Sequence, residues 1–160
     1  MKKEKQTIHN GEISPLALIR WASSEYEELI TNEIGEHKIL NQNAVRSILK
    51  ILTLKNGISQ NELAREVHLK GSTVSVALVK MENENLIKRE DAPNDKRKVN
   101  VYLTSSGYEL VKFLEAIVKK IEEKMLCGLN DSEKYDLEYC LTKILNNAKN
   151  QTKRPKEIYS

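Results

Sequence analysis

The sequence predicts a mainly α-helical protein of the α+β class, and three observations lead to this prediction. A Ser-x-x-Glu capping pattern at residues 59–62 opens a short helix, and a second helical pattern follows a turn at residues 69–71. Turn-forming residues and then an alternating apolar pattern near residue 100 indicate a β-hairpin. Long helical stripes lie on both sides of this region. Two short helices followed by a hairpin are typical of a winged helix-turn-helix, here with long N- and C-terminal helices.

The first two helices have recognisable ends. Ser14 can cap the first helix and Pro15 suits its first turn, and the apolar spacing continues as far as Gly35. The second helix is predicted to begin at residue 42 or 43 and to end at the Asn-Gly pair at residues 56–57.

The helix-turn-helix follows directly. The helix that Ser59 opens has apolar residues on one face, and the next helix is predicted to start at Ser72 or Thr73. Spacing of i, i+4 and i+7 gives that second helix a buried face of Val74, Leu78 and Met81. The residues left outward are small, polar or basic apart from one valine, and they suit a groove: Ser72, Thr73, Ser75, Val76 and Lys80.

A hairpin with a basic end is predicted next. Asn85 suits the left-handed conformation at the end of the preceding helix. Residues 86–90 form one strand, residues 91–95 a turn, and residues 99–103 the return strand. Three cations, at residues 96–98, follow the turn. Alone they would be a solvated charge run, but after a helix-turn-helix at this spacing they favour contact with a minor groove or with phosphates.

The C-terminal part predicts two further helices, one opened by Ser105 or Ser106 and broken at Gly128, the other beginning at residues 131–133. Together with the first helix they carry more apolar surface than a winged domain of some 65 residues can cover, so a partner is expected. The residues expected to need that cover are Leu16, Ile19, Leu29, Ile117, Leu141 and Ile144.

The region from residue 43 to residue 107 resembles the MarR family of bacterial transcriptional regulators. The family's short motifs stand in order at residues 59–64 (S-x-x-E-L-A), 73–75 (T-V-S), 95–97 (D-x-R) and 103–107 (L-T-x-x-G). Shorter matches occur at residues 81–82 and 85–89.

Three residues or segments depart from the family pattern. Asn85 replaces the usual Gly, which is conservative in conformation, and the turn at residues 91–95 is one residue longer than the commonest form. Val76 stands where Arg is frequent. A valine can only make apolar contact, for example with a thymine methyl group, so the base preference is expected to differ there.

The resemblance implies a homodimeric repressor of the bacterial cytoplasm that binds a palindromic operator in double-stranded DNA. The implied organisation is a flexible tail at residues 1–13, an N-terminal dimerisation helix and link at 14–41, the DNA-binding domain at 42–105, C-terminal dimerisation helices at 106–149 and a basic tail at 150–160.

DNA contacts are assigned to helix N-termini, the second helix of the helix-turn-helix and the wing. Within the wing, Asp95 is expected to hold the guanidinium of Arg97 beside the minor groove. The full set of expected DNA contacts is Gln42, Asn43, Ser59, Gln60, Lys70, Ser72, Thr73, Ser75, Val76, Lys80, Asp95, Lys96, Arg97 and Lys98.

The resemblance also implies release by a small-molecule or redox signal, which the sequence does not name. Candidates for an effector site are Arg20, Trp21, Tyr26 and Arg46, since an arginine there could meet an anionic aromatic compound. Ordinary core and surface roles are the alternative for these four residues.

Composition agrees with a single domain that is neither exported nor membrane-embedded. The 160 residues carry a net charge of only +3, so DNA affinity must come from local placement of cations. No apolar stretch approaches the roughly 20 residues of a membrane span, and no signal core follows the N-terminus. Cys127 and Cys140 are expected to be reduced and buried as small apolar residues.

Catalysis finds no support in the sequence. It contains no G-x-x-x-x-G-K loop, no H-E-x-x-H and no C-x-x-C, so neither an enzyme nor a cofactor is predicted. The pair Glu36-His37 resembles part of a zinc site, but the other ligands are missing and no metal is predicted. The alternative function is a winged-helix protein-interaction module without DNA binding.

Overall fold

The computed structural model describes residues 13–92 and 95–152, with side chains for all of these except residues 92, 95–98, 151 and 152. All but the last residue of the predicted tail at 1–13, residues 153–160 of the predicted tail at 150–160, and turn residues 93–94 lie outside the described residues. Six helices are described, together with the 3₁₀ helix Lys38–Asn41: α1 (Pro15–Glu33), α2 (Asn43–Leu54), α3 (Gln60–Glu66), α4 (Gly71–Asn83), α5 (Ser105–Met125) and α6 (Asp131–Thr152). Three strands pair antiparallel in the order β1 (Ile58–Ser59), β3 (Asp95–Leu103), β2 (Ile87–Ala92). The predicted mainly α-helical winged helix-turn-helix is confirmed.

The predicted starts of α1 and α3 are confirmed by their capping contacts. Ser14 accepts a hydrogen bond from the backbone N–H of Ala17 at 3.3 Å, and Pro15 is the first residue of α1. Ser59 likewise accepts from the N–H of Glu62 at 3.3 Å and caps α3. Both caps satisfy backbone donors that have no partner inside the helix.

The turn of the helix-turn-helix begins earlier than predicted, at His68. His68 has a positive φ of 54°, and the N–H of Leu69 donates to the carbonyl of Ala64 at 3.2 Å. This bond closes α3 in a left-handed C-terminal turn. The chain is redirected sooner than expected, and α4 therefore starts at Gly71 rather than at Ser72 or Thr73.

The hairpin strands are longer than predicted. Asp91, Ala92 and Asp95 belong to strands rather than to the turn, because Asp91 pairs with Val99 and Ala92 with Asp95. The pairing register of β2 with β3 shifts between Asp91 and Ala92, as it does at a β-bulge. The short strand β1 was not predicted, and it pairs Ile58 with Val101 on the other edge of β3.

The junction between α4 and the wing depends on a left-handed residue and a close approach. Asn85 has a φ of 54°, as predicted, and its carbonyl accepts from Thr104 Oγ1 at 2.6 Å. A Cβ atom at Gly107 would lie 2.1 Å from the carbonyl oxygen of Leu86. Only glycine fits there, which gives a physical reason for the L-T-x-x-G motif.

The core of the N-terminal unit joins α1, α2, α4, the sheet and the first part of α5. Its most completely buried side chains are Ile30, Ile34, Leu40, Val45, Ile48, Leu49, Leu52, Leu63, Leu78, Met81, Ile87 and Ile121. Ile117 is also buried within the chain. The expectation that Ile117 needs a partner is therefore wrong, since residues of the same unit already cover it.

A second compact unit begins after Ile121. Its helix α6 opens with a reciprocal cap, in which Asn130 accepts from the N–H of Glu133 at 3.0 Å and Glu133 accepts from the N–H of Asn130 at 2.9 Å. The helix continues through Thr152, beyond the predicted boundary. Between Asp131 and Asn150 every residue is exposed except Leu141 and Ile144, which are half-buried.

Both cysteines lie in this second unit and are exposed. The prediction that they are small buried residues is therefore wrong for the chain by itself: Cys127 lies in the turn between α5 and α6, and Cys140 lies on an exposed stretch of α6. Among the described helices, none is long and apolar enough to cross a membrane.

Candidate nucleic-acid interface

The outward face of α4 carries the residues that the sequence assigned to it. Val74, Leu78 and Met81 are buried as predicted, together with Ala77. On the other side Ser72, Thr73, Val76 and Lys80 are exposed and Ser75 is half-buried. The side chain of Val76 is 57% exposed, so its predicted surface position is confirmed.

The first residue of α3 contacts this face. Gln60 Nε2 donates a hydrogen bond to Ser75 Oγ at 2.7 Å. Two residues assigned separately to phosphate contact and to base recognition are thus joined, which ties the two helices of the helix-turn-helix together at their outer edge.

The start of α2 contacts the same face farther along. Lys80 Nζ donates to Gln42 Oε1 at 3.2 Å, and both residues were predicted DNA contacts. Asn43 is exposed beside Gln42, where its side-chain oxygen accepts from Ser47 Oγ at 3.3 Å. The structure therefore brings residues from α2, α3 and α4 onto one surface.

Ser59 and Lys70 have different local roles. The Ser59 oxygen accepts the capping hydrogen bond of α3, and its hydroxyl hydrogen can still be donated to a phosphate oxygen. Lys70 precedes α4 and is exposed. Its ammonium group therefore lies near the N-terminus of α4, where backbone N–H groups also favour phosphate.

The wing is held to α4 by an ion pair that sequence reasoning missed. Arg89 on β2 donates from Nε to Glu82 Oε2 at 2.9 Å, and its Nη2 contacts the same oxygen. This hydrogen bond holds the pKa of Glu82 below its ordinary value and raises that of Arg89. The L-I-x-R segment contains Arg89, but nothing in the sequence indicated its partner.

The basic end of the wing is described only in its backbone. Asp95, Lys96, Arg97 and Lys98 are the first residues of β3, and their side chains lie outside the described ones. Their expected DNA contacts remain predictions.

Val79 was not predicted to belong to this surface. It is 46% exposed and lies three residues after Val76 on α4. The helical spacing that placed Val76 outward could also have identified it, because residues three apart share a face.

The four effector candidates lie in different environments. Arg46 is buried, and its guanidinium donates to the carboxylate of Glu27 and to the backbone carbonyl of Leu40. It links α2 to α1 and to the 3₁₀ helix, so its charge is already paired, as the structural alternative expected. Arg20 and Trp21 are exposed on α1, whereas Tyr26 lies partly buried against the core.

The candidate metal pair has a different environment from that of a zinc site. The ring of His37 lies 4.5 Å from that of Phe113, centroid to centroid, at 54°. In residues 13–92 and 95–152, no three His, Cys, Asp or Glu side chains form a group that could hold a metal ion.

Known proteins resemble this chain in sequence and in structure. Residues 43–99 match the model of the MarR family. The transcriptional regulator HosA of Escherichia coli O111:H- is 28% identical over 100 residues, which cover 62% of this chain and 74% of HosA. The HTH-type transcriptional repressor NicR of Pseudomonas putida is 28% identical over 92 residues, 58% of each chain.

A solved structure is similar to this chain over a longer stretch. The crystal structure of S. aureus MepR in complex with DNA is 28% identical and has a TM-score of 0.76, covering 85% of this chain and 99% of MepR. The ordered motifs, the winged architecture and these similarities lead to one conclusion: residues 43–99 of this chain form a domain that matches the MarR family, within a winged helix-turn-helix fold.

Proposed function

We propose that this protein is a homodimeric repressor that binds a palindromic operator, with one α4 helix of each protomer in successive major grooves. The outward face of α4 carries this proposal, because its exposed small, polar and basic side chains lie beside Gln60 and Gln42 from the starts of two other helices. A similar protein, MepR, has been solved bound to DNA.

The residues proposed to contact DNA fall into two groups, those that position the protein on phosphates and those that recognise bases. Ser59, Gln60 and Asn43 lie at helix N-termini, where backbone N–H groups attract phosphate. Ser72, Thr73, Ser75 and Val76 occupy the first half of α4, the part of a recognition helix that contacts base edges. Arg97 and its cationic neighbours are proposed to contact the minor groove, and Asp95 to hold Arg97 in place.

Exposed apolar residues on two helices support the dimer. On α6, Tyr135 is 69% exposed, Tyr139 54% and Leu145 60%, and on α1 Leu16 is 62% exposed. Large side chains in water at these positions lose the free energy that burial would provide, about 1.5–3 kcal/mol for a leucine. A second copy of the chain that covers these helices would recover it.

The repressor role and its relief are proposed from the family. NicR, a similar protein, carries the name of a repressor. A small-molecule or redox signal would act by changing the distance between the two α4 helices, because a palindrome fixes that distance. Arg20 and Trp21 are the exposed pair of effector candidates, a cation next to an aromatic ring.

Selection from a random pool of duplex DNA tests the proposal. We expect enrichment of an inverted repeat with half-site centres about 10 base pairs apart or a multiple of that. Ser72→Glu places a negative charge on the outward face of α4 and should abolish enrichment, whereas Ser24→Glu adds the same charge at an exposed position of α1 and should not. A wild-type protein that enriches no duplex sequence would contradict the proposal and favour a protein-interaction module.

A further inference from the structure

We propose that Val76 contacts the 5-methyl group of a thymine, so that each operator half-site carries an A·T pair at one fixed position. This inference rests on the proposed DNA-binding function and assigns a base to one residue of the same surface.

The position of Val76 on α4 allows this contact. Buried residues Val74, Ala77 and Leu78 occupy the opposite side of the helix, and the Val76 side chain is 57% exposed. A valine left in water on a helix surface contributes little to folding. It is therefore available for a contact made only in the complex.

Polar side chains lie one helical turn away from Val76 in both directions along α4. Ser72 lies one turn before it and Lys80 one turn after it, and both are exposed. Ser75 is held by Gln60, and Lys80 by Gln42. Two polar side chains near Val76, those of Ser75 and Lys80, therefore already have hydrogen-bond partners within the protein.

The chemistry of the major groove selects the base. Guanine, adenine and cytosine present hydrogen-bonding atoms there, and thymine alone adds a methyl group. A valine against a polar edge would remove water from that edge without replacing its hydrogen bond, which is unfavourable. Contact with the thymine methyl avoids this cost and buries apolar surface from both partners.

The size of the effect follows from the burial of one methyl group. Burial of one CH₂ or CH₃ changes an affinity by about fourfold. Because a palindrome presents the contact twice, loss of both thymine methyl groups should weaken binding by about 15-fold.

Uracil substitution isolates this methyl group, because uracil differs from thymine only by its absence. In the operator obtained by selection, each thymine is replaced by uracil in turn, symmetrically in both half-sites, and the dissociation constant is measured. At one position we expect wild-type binding to weaken about 15-fold. Val76→Ala should bind the thymine and uracil duplexes equally at that position.

Val79→Ala tests the other exposed valine of α4, which lies three residues farther along on the same face, and so shows which of the two valines makes the contact. It should keep the preference for thymine over uracil. Val76→Ser removes both γ-methyl groups and leaves a polar side chain, and thermal unfolding of each variant verifies folding, so a poorly folded Val76→Ala would leave Val76→Ser and the wild-type uracil series to decide.

Three results would overturn the inference: no position at which uracil weakens wild-type binding, a thymine preference that survives in folded Val76→Ala or Val76→Ser, or equal loss of the preference in Val79→Ala. If the wild-type protein selects no duplex, the DNA-binding function itself fails. The two failures are therefore distinct.

Discussion

Gln60 Nε2 donates a hydrogen bond to Ser75 Oγ at 2.7 Å, joining the start of α3 to the outward face of α4. Because the Ser75 oxygen accepts this bond, its own hydroxyl hydrogen is left to donate to an acceptor on a base edge. In the proposed complex with DNA, Gln60 would therefore position the Ser75 hydroxyl for base recognition as well as contacting phosphate.

We expect Gln60→Ala and Ser75→Ala to be coupled in operator binding. Either substitution should relax the preference at one base pair. The binding free energy that the double variant loses should be smaller than the sum of the two single losses by about 1 kcal/mol. Binding of the four proteins to operators varied at that base pair measures the coupling.

Thr73→Ala provides the comparison, since Thr73 lies exposed on the same helix. The loss of binding free energy in Thr73→Ala should add to that in Gln60→Ala within about 0.5 kcal/mol when the two substitutions are combined. If Gln60→Ala lowers the melting temperature but leaves every base preference unchanged, the bond is purely structural.

For the wing, we expect Arg97 and Lys96 to contribute to DNA binding in different ways. Arg97→Ala should weaken operator binding by about 1–3 kcal/mol if the guanidinium lies in the minor groove. Lys96→Ala should weaken binding to all duplexes alike and lower the salt slope by about one unit. Titrations at several salt concentrations test both, and an Arg97→Ala protein with unchanged affinity and salt dependence would refute the wing assignment.

The dimer prediction uses a leucine that the chain by itself leaves exposed. Leu145 on α6 is 60% exposed, so Leu145→Glu should not disturb the folded protomer but should place a charge where a partner is proposed to lie. Light scattering should show a wild-type mass of about twice 18.4 kDa and a shift of the variant toward monomer. Asn146→Glu adds the same charge one residue along and should have a smaller effect; a monomeric wild type at micromolar concentration would exclude the proposed dimer.

Gly107 and Gly71 form a matched pair for stability. A Cβ atom at Gly107 would lie 2.1 Å from the carbonyl oxygen of Leu86, so Gly107→Ala should lower the free energy of unfolding by about 1–3 kcal/mol or more. At Gly71 no described atom lies within 4 Å of the added Cβ, and Gly71→Ala should be neutral or stabilise α4 by up to about 1 kcal/mol. Urea unfolding compares them, and equal effects would contradict the close approach at Gly107.

The ion pair between Glu82 and Arg89 predicts a pH dependence of stability. The hydrogen bond from Arg89 holds the pKa of Glu82 below its ordinary value of 4.5, so the folded state favours the carboxylate. Its contribution is present above pH 4.5 and is lost as the pH falls through the lowered pKa. Since both side chains are about one-third exposed, solvent screening limits the effect to about 0.5 kcal/mol or less.

Glu82→Gln should therefore lose less stability than the wild type as the pH falls below about 4.5. Unfolding by urea at a series of pH values measures the difference. Glu84→Gln removes the same charge from the exposed end of α4 and should follow the wild type; parallel curves for Glu82→Gln and wild type would show that the pair does not contribute.

Features that depend on a few neighbouring residues were predicted from the sequence. Ser14 and Ser59 cap their helices because a side-chain oxygen can reach an N–H three residues on. Asn85 adopts the left-handed conformation that its residue type tolerates. The outward position of Val76 followed from helical periodicity alone.

Features that join distant residues were decided by the tertiary structure. Gln60 and Ser75 are 15 residues apart, and Gln42 and Lys80 are 38 apart. Strand β1, two residues long, exists only because β3 offers it a free edge. Arg46, a surface residue by type, is buried because Glu27 and the carbonyl of Leu40 satisfy its charge and donors. The sequence alone determined the helices and their outward faces, since capping and periodicity act within one or two turns. Which polar groups meet between those faces depended on how the helices pack, because a contact between distant residues forms only when the whole core holds both in place.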